Sequence, residues 1–524
     1  MKIERTKNAS KNIKAGVLLK LYQMLAPFLM RTAMLYFMGP QYTGLNSLFY
    51  SILHILNLAE LGVGNAMVFS MYKPIADDDE KSICALMALY RKYYRIIGTV
   101  IGVLGVLLTP VIPHLIEGDI PQELNVYALY LLNLGATVLS YWLFAYKNSL
   151  LSAHQRTDVS SIVTIITTTM QYAIQLAIMI FLKNYYLYLV VALGTQVLNN
   201  LVIAAAVSRL YPQYRPHGKL PSSITTGINR RIRDLFTGKV GSVVMNFADS
   251  VVVSAFLGLE MLTNYQNYYF IMSAIIGMIE IFLQSVMAGL GNSFITESKQ
   301  KNFKDLQKAT YLFLWLIGVC ACCFLGLYQP FMELWVGPEM VLPAGVMICF
   351  VIYFLTYTLN RLLNVYKDAA GLWHKDRFRP LVKACVNLTL NLVLVRSCGL
   401  YGVLLSTVFA IVVIGMPWLL HNLFTGFFTK DMQRGYLKQL LGMTALILAV
   451  AGFVYLLCWP IQGNLWLALM LRGAICVIVP NLLFLAVLHR SEQFAPSVQL
   501  LDRLTKHKLK LEKRLLRHKK QNPQ

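Results

Sequence analysis

Charged side chains stand inside stretches that are otherwise apolar, among them Lys20, Arg31, Asp249 and Glu280. Their chemistry divides in two. A guanidinium offers parallel donors that match phosphate oxygens, and an ammonium offers a compact positive charge to the same group. A carboxylate can exchange a proton or hold a cation. Each such charge costs at least about 2.5–3.5 kcal/mol at the centre of a bilayer, so it is expected to face a wet cavity or a partner.

The neutral polar residues around these charges repeat at helical spacing, near 100° per residue. Gly16, Lys20, Gln23, Pro27 and Arg31 share one face, and so do Ser242, Asn246 and Asp249. Ser273, Gly277, Glu280, Gln284 and Gly291 form another stripe, as do Tyr353, Tyr357, Asn360 and Asn364. Asn133, Thr137, Ser140 and Asn148, and then Thr164, Thr168, Gln171 and Gln175, read equally as cavity lining or as helix-to-helix hydrogen bonding. Together the charges imply a hydrated central chamber in which a polar passenger finds replacements for its lost hydrogen bonds with water. Gln23, Asn246, Gln284 and Asn360 are candidate hydrogen-bonding residues, and Tyr353 and Tyr357 are candidates to stack on sugar faces. Arg31, with Lys20 about three turns away, is the candidate for a phosphate group. The two cations are alternatively internal counter-ions for Asp249 and Glu280. Asp249 and Glu280 are candidates for ion coupling. Glu60, beside Gly62 and Gly64, is a candidate gate, and His54 is either a proton carrier or a structural residue.

The elements that position these residues must be membrane helices. The chain has 524 residues, 57% hydrophobic and only 14% charged, and its mean hydropathy is +0.57. Apolar runs of about 20 residues recur from end to end, each long enough to cross a hydrocarbon core, and they lack strand alternation. Fourteen are expected: 13–38, 44–71, 87–109, 122–146, 158–182, 185–208, 235–257, 266–291, 308–333, 340–366, 380–396, 400–424, 436–457 and 464–488. The fold class is therefore all-α and polytopic. No cleaved signal peptide is expected, because the first run carries Lys20 and Arg31 and no small-residue cleavage site follows it.

The net charge of +23 is not a nucleic-acid signature, because it is dispersed among every second connection. Lys and Arg crowd the N-terminus and the connections after even-numbered spans, whereas Lys183 and Arg396 are the only two in odd-numbered connections. This asymmetry predicts both termini in the cytoplasm of a cell bounded by this membrane. Arg361 and Arg472 lie within spans, Arg361 close enough to the cytoplasmic end to snorkel. Asp77, Asp78, Asp79 and Glu80 read as helix-start chemistry. Cys320, Cys322 and Cys323 sit inside an apolar run as small hydrophobes, and neither a metal site nor a cofactor is expected.

A weak internal repeat is visible. Phe37-Met-Gly39 is echoed by Phe256-Leu-Gly258, Gly62-Val-Gly-Asn65 by Gly289-Leu-Gly-Asn292, and Ala153-His154-Gln-Arg by Trp373-His374-Lys-Asp. It predicts a six-helix lobe over 1–209, a cytoplasmic linker over 210–234, a second six-helix lobe over 235–428 and two further helices within 429–490. The tail, 491–524, is basic and amphipathic, suited to anionic headgroups or to a docking partner.

Gly39-Pro-Gln-Tyr-Thr-Gly44-Leu-Asn46, Leu58-Ala-Glu60-Leu-Gly-Val-Gly-Asn65-Ala and Tyr72-Lys73-Pro74 resemble the polysaccharide flippases of bacterial cell-surface biosynthesis. So do Asp249-Ser-Val-Val-Val-Ser-Ala-Phe-Leu-Gly258 and Asn264-Tyr-Gln-Asn-Tyr-Tyr269. These are the O-antigen and capsule (Wzx-like) flippases of the multidrug/oligosaccharidyl-lipid/polysaccharide exporter superfamily. The resemblance implies a V-shaped pair of six-helix bundles working by alternating access in a bacterial inner membrane. Its implied substrate is an undecaprenyl-diphosphate-linked oligosaccharide. Membrane lipids and polysaccharide-assembly proteins are the implied partners of a monomeric chain. The lipid II flippase, a relative, also uses cavity arginines, one in its first helix, and Arg31 occupies a comparable place. A fuller arginine cluster is not evident.

Two other readings stand beside this one. A cation-coupled exporter of small amphiphiles would use Asp249 and Glu280 for the ion. A membrane glycan polymerase or ligase would need a large outer loop bearing reactive groups. The outer connections here are short, with no nucleophile motif, metal triad or phosphate-binding glycine loop, so no enzymatic activity is expected.

Overall fold

The computed structural model describes residues 5–504, apart from Leu61, Asp119, Arg490, Glu492 and Gln493. Among the described residues every regular element is helical. The chain folds as an all-α polytopic membrane protein. Leu25 and Leu29 on the first helix are 66% exposed and Met470 near the C-terminus is 75% exposed, which suits side chains facing lipid rather than water.

The first helices are α1 (Arg5–Phe37), α2 (Pro40–Leu56), α3 (Val63–Ala76) and α4 (Glu80–Leu108). A single 3-10 turn, Asn57–Glu60, stands between α2 and α3. Asp79 begins α4 by accepting a hydrogen bond from the Ser82 backbone N–H at 3.0 Å, as the acidic run predicts. Hydrogen bonding by Ser82, from its side chain first and then its backbone N–H, holds the Asp79 carboxyl below its usual range. Next come α5 (Val126–Trp142), α6 (Ala145–Ala153), α7 (Thr157–Ala177) and α8 (Tyr185–Leu210). The long α9 (Ser222–Thr296) follows, then α10 (Lys299–Val336), α11 (Ala344–Ala369), the short α12 (Trp373–Asp376) and α13 (Arg379–Phe409). The last described elements are α14 (Met416–Gly426), α15 (Lys430–Cys458), α16 (Leu465–Leu488) and α17 (Phe494–Leu504).

Nine helical segments among the described residues are long and apolar enough to cross a membrane, or ten counting the bent pair α5–α6. Two of the nine are double-length. α9 loses helical geometry at Gly258 (φ 85°, ψ 173°) and α13 at Gly399 (φ 54°, ψ −133°), so each divides into two spans. With α1 and the interrupted α2–α3 pair, the segments match the fourteen runs expected from hydropathy.

The proposed repeat has a backbone counterpart. Gly39, after the first span, has φ 102° and ψ 176°, nearly the conformation of Gly258 after the seventh. This region is open essentially to glycine alone. The second motif differs between halves: Gly62 breaks its helix at φ 90°, whereas α9 continues through Gly289. In the third, each half carries an Arg–Asp pair at the start of the next helix, Arg156 with Asp158 at 2.9 Å and Arg379 with Asp376 at 2.6 Å.

The contacts form two compact units, one of residues up to Gln266 with Asn391–Gly399, the other of Asn267–Leu390 with residues from Leu400 onward. In the second unit α10 packs on α11, α15, α16 and α17. Arg472 of α16 donates to the Ile461 carbonyl at 2.6 Å, which accounts for a charge inside an apolar span. Phe494 and Val498 of α17 are buried, and Phe494 stacks on Trp315. Residues 505–524 of the basic tail lie outside the described residues.

Candidate functional site

In the first unit, the polar face of α1 carries Lys20 and Gln23, both exposed, and Arg31, partly enclosed. Arg31 lies in the last two turns of α1, ahead of the turn at Gly39. Its Nη1 donates to Ser47 Oγ at 3.3 Å and its Nη2 to the Thr263 carbonyl at 3.2 Å. Gly44 of α2 presses against the Leu259 carbonyl, so this contact admits no side chain at position 44. The Arg31 head is thereby held between α2 and the part of α9 that follows Gly258.

Asp249 is enclosed, with 2% exposure, and accepts a hydrogen bond from Asn391 Nδ2 at 2.6 Å. Asn246, one turn earlier on α9, is half-buried. His54 stacks on Phe247 at 4.6 Å with an interplanar angle of 11°, and Tyr50 meets it at a tilt, 4.2 Å away.

Glu60 sits where two interrupted helices meet. Tyr94 donates to its Oε1 at 3.0 Å and Tyr141 to its Oε2 at 2.7 Å. The carboxylate borders a polar cavity of about 290 Å³ lined also by Ser140, Asn148, Thr164, Gln196 and Asn200. Ser140, Asn148 and Thr164 belong to the two stripes that the sequence leaves open between lining and adhesion. They line a cavity.

In the second unit, Glu280 pairs with Arg361, Oε1 to Nε at 2.7 Å. Its counter-ion is thus neither Lys20 nor Arg31. Tyr353 is buried and meets the half-buried Tyr357 edge-on at 5.8 Å. Asn360 is buried, and its Oδ1 accepts no hydrogen bond among the described residues. The side chain of Gln284 lies outside the described residues.

Several polar residues escaped the sequence reading although their spacing announces them. Lys383, Asn387 and Asn391 recur every fourth residue of α13 and are all buried. Asn387 donates to Thr407 Oγ1 at 2.8 Å, and Lys383 makes no hydrogen bond among the described residues. Gln196, Asn199 and Asn200 form a stripe on α8, with Asn200 donating to the Ser140 carbonyl at 2.8 Å. Tyr94 and Tyr141 gave no signal, since an isolated tyrosine in an apolar run reads as packing.

No known family profile matches the chain. No curated protein sequence matches it either. Solved structures do. The lipid II flippase MurJ in its inward closed conformation superposes with a TM-score of 0.69 at 14% identity, covering 90% of this chain and 98% of that one. The Vibrio cholerae MATE transporter VcmN gives 0.56 at 13% identity, covering 82% and 99%. An inward-facing multidrug resistance MATE family transporter of the MOP superfamily gives 0.52 at 14%, covering 77% and 97%. The chain shares their fold.

Proposed function

We infer that this chain is a flippase that carries lipid-linked oligosaccharide, on an undecaprenyl-diphosphate carrier, from the cytoplasmic to the outer leaflet by alternating access. The observation that carries the reading is the extent of the fold match. The lipid II flippase covers 90% of the chain, while the two MATE transporters cover 82% and 77%. A fourteen-span chain is thus accommodated better by a carrier of a glycan-bearing lipid than by drug exporters.

The polar interior supports the same reading. Arg31 on α1 supplies a fork suited to a diphosphate, and the exposed Lys20, on the same face, supplies a first contact nearer the cytoplasm. Within the second unit, taken by itself, the buried Lys383 is a further cation. In this proposal the lobes are 1–209 and 235–428, and both termini are cytoplasmic. Tyr353, Tyr357 and Asn360 remain candidates for glycan contact.

The MATE likeness favours one other reading, a cation-coupled exporter of small amphiphiles, with Asp249 and Glu280 as ion ligands. The pairing of Glu280 with Arg361 weighs against it, because an ion pair already satisfies that carboxylate.

Deletion of the gene followed by analysis of lipid-linked intermediates tests the proposal. Accumulation of one repeat unit on the cytoplasmic leaflet is expected. Unchanged intermediates, with lost resistance to toxic cations, would favour the exporter.

A further inference from the structure

Two spans of the first unit break at one place. α2 and α3 part at the Asn57–Glu60 turn and Gly62, and α5 and α6 part at a bend of 50°. Non-helical backbone at membrane depth is tolerated where protein or a water-filled cavity receives its polar groups, and interrupted spans build binding sites in transporters. Both breaks deliver side chains to the same cavity: Glu60 from one and Phe144 from the other. Phe144 has φ 60°, a conformation rarely adopted by a bulky residue, so the surrounding structure must hold this bend in place.

The chemistry of the wall narrows the ligand. Among the described residues no Lys or Arg lines the cavity, so it is unsuited to a diphosphate. An ionised carboxylate has about four acceptor positions. Tyr94 and Tyr141 fill one on each oxygen of Glu60, orienting it and leaving acceptor capacity for a ligand. Gln196 and Asn148 make no side-chain hydrogen bond among the described residues, and their amides can both donate and accept. A volume of about 290 Å³ is several times the roughly 30 Å³ that one water occupies. It stands near the lower end of small-ligand pockets, about 300 Å³. A carboxylate fixed by two phenols, unpaired amides and an aromatic edge suit a single ring bearing several hydroxyls.

We propose that this cavity is a subsite for one pyranose residue of the transported glycan, with Glu60, Gln196 and Asn148 as its hydrogen-bonding groups. The assignment rests on the flippase reading and deepens it.

The experiment uses the full-length protein in nanodiscs and three free sugars as probes: glucose, galactose and N-acetylglucosamine. Saturation-transfer NMR is expected to detect at least one of them on the wild type. Glu60→Gln is expected to weaken that sugar roughly tenfold, the equivalent of about 1.4 kcal/mol. Gln196→Ala, which removes an exposed side chain with no internal bond, is expected to weaken it comparably at an unchanged melting temperature. Absence of signal from all three sugars, or signal that survives both substitutions, overturns the proposal. So does sodium-22 binding that Glu60→Gln abolishes without any effect on sugar, which would make the cavity a cation site. Failure of the flippase reading appears separately, as unchanged lipid-linked intermediates in the deletion strain, whatever the sugar result.

Discussion

The Arg361 guanidinium lies 2.7 Å from the Glu280 carboxylate, joining α11 to the second half of α9 inside the membrane-spanning region. Both side chains retain about a third of their exposure, so the pair has one side open. Removing one partner leaves a charge in a poor solvent, and reversing both restores the attraction. Glu280→Gln and Arg361→Gln are each expected to lower the melting temperature in detergent, while the swap Glu280→Arg with Arg361→Glu recovers most of the loss. A double-mutant cycle should give a coupling of about 1 kcal/mol, modest because the pair is part-exposed. Additive single effects would remove the pair from the account of stability.

Arg31 is expected to be required for transport. Arg31→Ala should abolish complementation of the deletion strain at unchanged protein levels, and Arg31→Lys should recover only part, because an ammonium lacks the planar fork. Full transport by Arg31→Ala would remove the phosphate role assigned to it.

The two glycines of the repeated turn should differ in tolerance. A side chain at Gly39 meets open space, so Gly39→Ala incurs only the backbone cost of its positive φ, of order 1–3 kcal/mol. At Gly258 a Cβ would also stand 3.0 Å from the Glu117 carbonyl. Gly258→Ala is therefore expected to be the more destabilising, as judged by thermal unfolding of the two purified variants.

His154, after α6, is buried against the rings of Tyr211 and Tyr214, at 4.4 Å and 5.6 Å. Burial lowers its pKa from 6.5 to about 4. The unfolded chain therefore binds the proton first. The stability from this neutral histidine is complete above about pH 6.5 and is lost as pH falls toward 4. His154→Phe keeps the stack and cannot titrate, so its melting temperature should fall less than that of the wild type between pH 6.5 and 4. Parallel curves would assign the acid sensitivity elsewhere.

The helical architecture was legible because a bilayer allows few alternatives: length and apolarity alone dictate each span. Even the break between α2 and α3 was foreshadowed by Gly62 and Gly64. The bend between α5 and α6 was not, since Leu143 and Phe144 carry no turn chemistry and tertiary packing imposes the left-handed residue. Periodicity showed which face of a helix is polar but not which helix faces it. Glu280 could therefore be recognised as needing a partner, whereas Arg361, 81 positions away, could not be named as that partner. The Lys383-Asn387-Asn391 stripe was open to the same reasoning as the face of α1.

The interruptions beside Glu60 have a mechanical consequence. Continuous rods must tilt as a whole, but α3 has 14 residues and α6 only nine, and each is uncoupled from its neighbour by an interrupted ladder. α6 supplies Ala145 and Asn148 to the wall around the Glu60 carboxylate, so a pivot of that stub would reshape the cavity without tilting a whole span.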